Sequence, residues 1–263
     1  MNFFFGAILD NITCSLTIPK FTNKEKNIFK NNVKLYCAEI SKNIWKIYLI
    51  ETEENENFFL IDKNLIDNKK IFFIAKNSEI ENFKNLHFKK IFSINSLTDT
   101  HPAFRVNLEL ELLNGGFSSY QSEYPSEMVS KKGSVLSSLN SLTNKNADKN
   151  FLIFRNIFEE PIETVFNIYF IDVEDKIILD KHKIITNQTN IIEINKDLIK
   201  PNIFLFSDGF VGIPIFLSIM DGHLSLEHTH PPYHYIIGKN NFIKTSELKK
   251  NIYDQIIKKN ITD

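Results

Sequence analysis

The 263-residue sequence predicts a mainly β protein. The expected architecture is an antiparallel β-sandwich or jelly-roll-like domain, with a smaller mixed α+β N-terminal region before it and a C-terminal α-helix after it. Three observations carry this reading. Short apolar runs of strand length recur along the chain with turn residues between them. The segment Arg105–Leu113 alternates strictly between apolar and polar residues. The last twenty residues carry an apolar stripe at helical spacing.

In the N-terminal region, taken as residues 1–98, strand-like runs fall at Val33–Glu39, Ile44–Ile50, Asn57–Ile61 and Ile71–Ala75. Ser78 can cap a short helix at Glu79–Leu86, with Ile80, Phe83 and Leu86 on one side. Phe88–Ile94 reads as a further strand, and the polar segment Asn95–Pro102 as a linker. Seven of the eight glycines lie from Gly115 onward, so turn chemistry shifts after this point.

The second region, residues 103–240, is read as the sandwich. Val106, Leu108, Leu110 and Leu112 form one face of its first strand, and Asn107, Glu109 and Glu111 the other. Further strands are expected at Phe151–Ile157, Thr164–Ile171, Ile177–Ile185, Ile191–Ile194, Ile203–Phe206 and Ile213–Met220. Turn residues at Asp172–Asp175, Thr186–Asn190 and Ser207–Gly209 separate them. Ser134–Thr143 is ambiguous between a short helix and a loop. Ser246–Lys259, within residues 244–260, is expected to be a helix that packs Leu248, Ile252, Ile256 and Ile257 on the sandwich.

Composition excludes several function classes. A net charge of −1 gives no electrostatic case for binding nucleic acid. No run approaches the roughly 20 apolar residues of a membrane span. The apolar start lacks a basic n-region and is cut by Asp10, so the chain is read as cytoplasmic. Cys14 and Cys37 have no metal-type spacing and read as buried or idle thiols. The sequence contains no Gly-x-Ser-x-Gly elbow, phosphate-binding glycine loop or Rossmann fingerprint.

The richest segment chemically runs from Asp221 to His234 and holds four of the seven histidines. Asp221-Gly222 predicts a two-residue type I′ hairpin turn. The register then follows outward from Met220 opposite His223. Ile219, Leu217, Ile215 and Ile213 face Leu224, Leu226, His228 and His230. The opposite side pairs Ser218 with Ser225, Phe216 with Glu227 and Pro214 with Thr229. His228 and His230 therefore point the same way as the apolar residues, while His223 and Glu227 point away. Pro231-Pro232 ends the ladder, because proline has no N–H to donate. His234 follows the turn and could fold back. An H-x-H pair on one strand face is a divalent-metal ligand pattern, with His234 as a candidate third ligand. The spacing Gly222-x5-His228-x-His230 resembles the first half of the first cupin motif. His234 stands where that motif carries a glutamate, and no second motif follows Gly238. The resemblance spans under twenty residues and implies a metal-dependent enzyme acting on a small polar substrate. An inward histidine hydrogen-bonded to a carbonyl is the structural alternative.

Gly115–Met128 is read as a loop whose aromatic and amide groups suit a sugar or peptide ligand. Its candidate ligand-binding residues are Tyr120, Gln121, Glu123 and Tyr124. Arg155 could hold a carboxylate or phosphate, or form an ion pair with Glu109 or Glu111 within a sheet. These features give two expectations. One is a ligand- or partner-binding protein without catalysis, its ligand a small molecule or carbohydrate at a His-lined rim. The other is the metal-dependent enzyme through His228 and His230. The sequence is compatible with a homo-oligomer.

Overall fold

The computed structural model describes residues 2–24, 27–30, 33–52, 55–75, 106–125, 128–129, 132–228, 235–237 and 242–262. Among the described residues the chain is mainly β, and its four large sheets are antiparallel.

Sheet I runs in the order β11 (Glu123–Pro125), β1 (Asn2–Phe4), β8 (Ile71–Ala75), β5 (Lys34–Ser41), β6 (Ile44–Leu49). Sheet II contains β10 (Phe117–Gln121), β9 (Asn107–Leu112), β2 (Ile12–Pro19) and β7 (Phe58–Ile61). Sheet III contains β16 (Thr189–Glu193), β13 (Lys149–Arg155), β18 (Ile213–Met220) and β19 (His223–His228). Sheet IV contains β12 (Leu136–Ser138), β17 (Ile203–Asp208), β14 (Val165–Asp172) and β15 (Ile177–Ile185). Two small ribbons complete the set: β3 (Phe21–Lys24) with β4 (Asn27–Lys30), and β20 (Tyr235–Ile237) with β21 (Phe242–Lys244). Strand β9 pairs with β2 along Ile12–Thr17, and β11 pairs with β1, so residues 107–125 complete the sheets of the N-terminal strands.

The expected strands at Ile44–Ile50, Ile71–Ala75, Ile177–Ile185 and Ile213–Met220 form with at most one residue's difference. The alternation in β9 does what its pattern requires: Val106, Leu108 and Leu110 are fully buried while Asn107 and Glu111 are exposed. Four segments differ from the sequence reading. Asn2–Phe4 and Ile12–Pro19 are strands that the apolar start did not announce. The segment read as a loop at Gly115–Met128 is largely β10 and β11. The ambiguous Ser134–Thr143 holds the short strand β12. The expected helix at Glu79–Leu86, strand at Phe88–Ile94 and linker at Asn95–Pro102 lie outside the described residues.

The inner strands of sheet III, β13 and β18, are buried on both faces, which their near-continuous apolar runs, Phe151–Phe154 and Ile213–Leu217, make favourable. Ile153, Ile215, Leu217 and Leu226 join a first core built with sheets I and II. Leu152, Phe154 and Phe216 join a second core with Phe166, Ile168, Phe170 and Leu205 of sheet IV. Each such side chain contributes about 1.5–3 kcal/mol by leaving water. The outer face of sheet IV presents Tyr169, Ile171 and Phe206 to the C-terminal helix (Thr245–Thr262), which buries Ile252, Ile256 and Ile257 there as its apolar stripe predicts. A π-helical turn at Tyr253–Ile257 lies within it and carries both Ile256 and Ile257. Among the described residues no helix is long and apolar enough to cross a membrane.

Cys14 and Cys37 are free, buried thiols. Burial pushes both up to about 11 from an ordinary value of 9, although the Ala7 N–H at 3.5 Å and a hydrogen bond from Tyr48 respectively pull the other way. Between pH 9 and 11 the unfolded thiols therefore lose protons that the folded ones keep. The unfolded state then binds fewer protons, so stability falls as pH rises, by up to about 1.4 kcal/mol per pH unit for each thiol. Urea unfolding at pH 8, 9 and 10 should show this decline above about pH 8.5. A Cys14→Ala/Cys37→Ala variant should decline less steeply; an unchanged slope would refute the assignment to the thiols.

Candidate functional site

The β18–β19 hairpin forms as its turn chemistry requires. Asp221 and Gly222 both have positive φ, 49° and 74°, the type I′ signature. The ladder pairs Met220 with His223, Ile219 with Leu224, Leu217 with Leu226 and Ile215 with His228, the register expected from the turn. His228 therefore ends β19 on the side of the first core, where its paired residue Ile215 is fully buried. His223 and Glu227 are exposed on the opposite side of the same strand. On β18, however, that opposite side is not polar surface: Phe216 and Pro214 are buried, Phe216 within the second core. The apolar face of sheet IV covers Phe216.

The structure brings His228 to Tyr120. Tyr120 sits on β10 opposite Leu108 and packs against the first core. Its ring centroid lies 4.5 Å from that of His228, with planes at 78°. This edge-to-face pair joins sheet II to sheet III, and both side chains are half-buried. The hairpin tips set the same seam. Gly116 N–H donates to Gly222 O at 3.1 Å. A Cβ on Gly116 would lie 2.3 Å from Gly222 O and 3.0 Å from His223 Cα, so only glycine permits this approach.

The other candidates separate from that seam. Gln121 is half-buried and paired with Asn107. Glu123 is buried, and its Oε1 accepts the Val106 N–H at 3.3 Å. Tyr124 is fully buried, its hydroxyl within 3.4 Å of Met128 O and 3.3 Å of Val211 O. Burial raises the Tyr124 phenol well above its ordinary value. Arg155 is also fully buried and is not paired with Glu109 or Glu111, which lie on sheet II. Glu109 instead accepts hydrogen bonds from Ser15 Oγ (3.4 Å) and Thr17 Oγ1 (2.9 Å). The Arg155 guanidinium donates to Asn68 O (2.7 Å), Thr189 Oγ1 (3.2 Å) and Asn187 O (3.1 Å). Its face lies 5.9 Å from the Phe5 ring centroid. Desolvation lowers it to about 9, still above neutral pH, so it remains a cation.

His230 and His234 lie outside the described residues. Among the described residues, no group of three or more His, Cys, Asp or Glu side chains is placed to hold a metal ion. Of the candidate metal ligands the structure therefore locates one, His228, with its Nδ1 shielded from solvent.

Sequence reasoning missed the buried polar junction around Arg155. Asn187, at φ 62°, accepts the Phe158 N–H and donates to Glu160 O (2.9 Å) and Ile162 O (3.0 Å). Thr189 Oγ1 donates to Gly6 O at 2.8 Å, and Asn156 Nδ2 to Val211 O at 2.7 Å. The available signal was Asn187 within the Thr186–Asn190 turn, since asparagine tolerates the left-handed conformation.

No known family model and no curated protein matches the chain.

Proposed function

We propose that this is a ligand- or partner-binding protein without catalysis, whose ligand is carbohydrate-like and binds along the Tyr120–His228 seam. In this reading sheets III and IV, from residue 132 to 228, form a β-sandwich, and residues 107–125 belong with the N-terminal unit. The alternation of Leu152, Phe154 and Phe216 against Phe166, Ile168 and Phe170 supports the sandwich. The observation that carries the binding reading is the 4.5 Å ring contact between Tyr120 and His228. It holds two half-buried rings together where β19 ends. Fixed ring edges suit a sugar, which offers C–H faces to aromatic groups. The fully buried Tyr124 and Arg155 act in this reading as structural supports.

A second reading, a metal-dependent enzyme with a cupin-like ligand pair, draws on the inward register position of His228. It needs His230 and His234 to converge on the same side. One set of measurements separates the two. A glycan array probed with the wild type and with Tyr120→Ala tests the first; the expected result is glycan binding that the variant loses while remaining folded. Elemental analysis of the wild type and a His228→Ala/His230→Ala variant tests the second. Stoichiometric metal lost in that variant, with no glycan binding in the wild type, would overturn the first reading in favour of the second.

A further inference from the structure

A second concave surface lies apart from that seam, at the edge of the C-terminal helix. A cleft of about 620 Å³ opens there between the helix and the loops at 132–134 and 208–211. That volume lies within the usual range for small-molecule sites, about 300–1,000 Å³. Its apolar walls come from Phe206 of β17, from Val211 and from Tyr253 of the helix. Lys132, Lys249 and Lys250 surround these walls, while Asp208 is the one acidic residue among the described lining residues.

Two further features make the cleft more than a gap beside a helix. The loops are cross-linked: Gly133 N–H donates to Gly209 O at 3.2 Å, and Lys132 forms an isolated bridge with Phe210. The cleft wall is therefore preformed. Lys249 also reaches back across it and donates to Ser134 O at 2.7 Å, holding its ammonium group at the apolar floor. Burial lowers the Lys249 amine and raises the Asp208 carboxyl, as expected where water is partly excluded. Thr245 and Ser246, in the first turn of the helix, complete the rim.

We infer that this cleft binds a small organic anion with an apolar body, its head group between Lys132, Lys249 and Lys250 and its body against Phe206, Val211 and Tyr253. Three ammonium groups outnumber one carboxylate, which favours an anionic head over a neutral or cationic one. The apolar walls disfavour a bare inorganic anion, because it would leave them uncovered and lose its own hydration. The site is independent of the Tyr120–His228 seam. The two share no residue: the seam is built from Tyr120 and His228 of sheets II and III, and the cleft from the outer face of sheet IV, the C-terminal helix and the loops at 132–134 and 208–211.

Anilinonaphthalene sulfonate, an aryl sulfonate, is the probe, and uncharged N-phenylnaphthylamine is its control. Both are titrated into the folded full-length protein and followed by fluorescence and by amide chemical shifts. The sulfonate should bind saturably, with the largest shifts at Gly133, Gly209 and Ser246. In a Lys132→Glu/Lys250→Glu variant, which changes two exposed side chains, sulfonate affinity should fall about tenfold or more, while binding of the uncharged control changes less than about twofold. Absence of saturable sulfonate binding, shifts confined to other surfaces, or equal losses for both probes would each overturn the inference.

Discussion

Replacing Arg155 by alanine is expected to lower folding stability by about 3–5 kcal/mol, measured by urea unfolding at neutral pH. The side chain is fully buried in sheet III and, among the described residues, makes no close ion pair with a carboxylate, although the Asp67 charge favours its cationic form. Its attraction is instead distributed over acceptors: Asn68 O, Asn187 O and the Thr189 hydroxyl, with the Phe5 ring facing it. Truncation would leave those acceptors in a dry cavity, and each lost partner costs about 1–3 kcal/mol. Arg155→Met decides which effect dominates. It retains most of the volume and removes a buried cation whose desolvation itself costs several kcal/mol. If the carbonyl cage dominates, methionine should still destabilise, by about 2–4 kcal/mol. If desolvation dominates, Arg155→Met will match or exceed the wild type, and the cage will not be what makes arginine favourable there.

The loss should also be non-local. The Arg155 cluster ties Gly6 and the Asn68 turn of the N-terminal half to Thr189 of sheet III and to Asn187 in the turn before it. Thr189 N–H donates to Asn68 O at 2.7 Å, and the Asn68 side chain accepts the Ile8 N–H at 2.9 Å. Amide exchange in Arg155→Ala should therefore quicken on both sides of this junction together.

How much of this was legible in the sequence depended on the range of each interaction. The β18–β19 register was readable because Asp221-Gly222 specifies a two-residue turn and the pairing follows by counting. The C-terminal helix was readable because Leu248, Ile252 and Ile256 repeat at helical spacing. Strands β1 and β10 were not: Phe3-Phe4-Phe5 is apolar without alternation, and Phe117-Ser-Ser-Tyr-Gln places serine where a core strand usually has a large residue. Their pairing partners are remote in sequence, Tyr124 for Phe3 and Leu108 for Tyr120. The same limit applies to the site. His228 could be assigned its inward direction from local parity alone. Its contact with Tyr120 could not be inferred, because it depends on sheet II meeting sheet III through sequence-distant packing. The partners of Arg155 were hidden for a related reason. Two are backbone carbonyls, which carry no residue-type signal.

The two-sided burial of β18 leads to the second large effect. Phe216→Ala and Leu217→Ala should each destabilise the fold, by about 3–5 and 2–5 kcal/mol respectively. The two side chains are adjacent in sequence and point to opposite faces of sheet III. Leu217 enters the core shared with sheets I and II, and Phe216 the core shared with sheet IV. A hairpin with one solvent face would respond unequally, since truncating an exposed side chain usually changes stability by no more than about 0.5 kcal/mol. Comparable losses at both positions would therefore report sheet III as an inner layer. Glu227, paired with Phe216 yet exposed at the sheet edge, is the internal control. Glu227→Ala should stay within about 0.5 kcal/mol of the wild type, because it shares Phe216's register position without its burial. A small effect at Phe216 beside a large one at Leu217 would mean that sheet IV does not cover β18, and the layered arrangement would have to be redrawn.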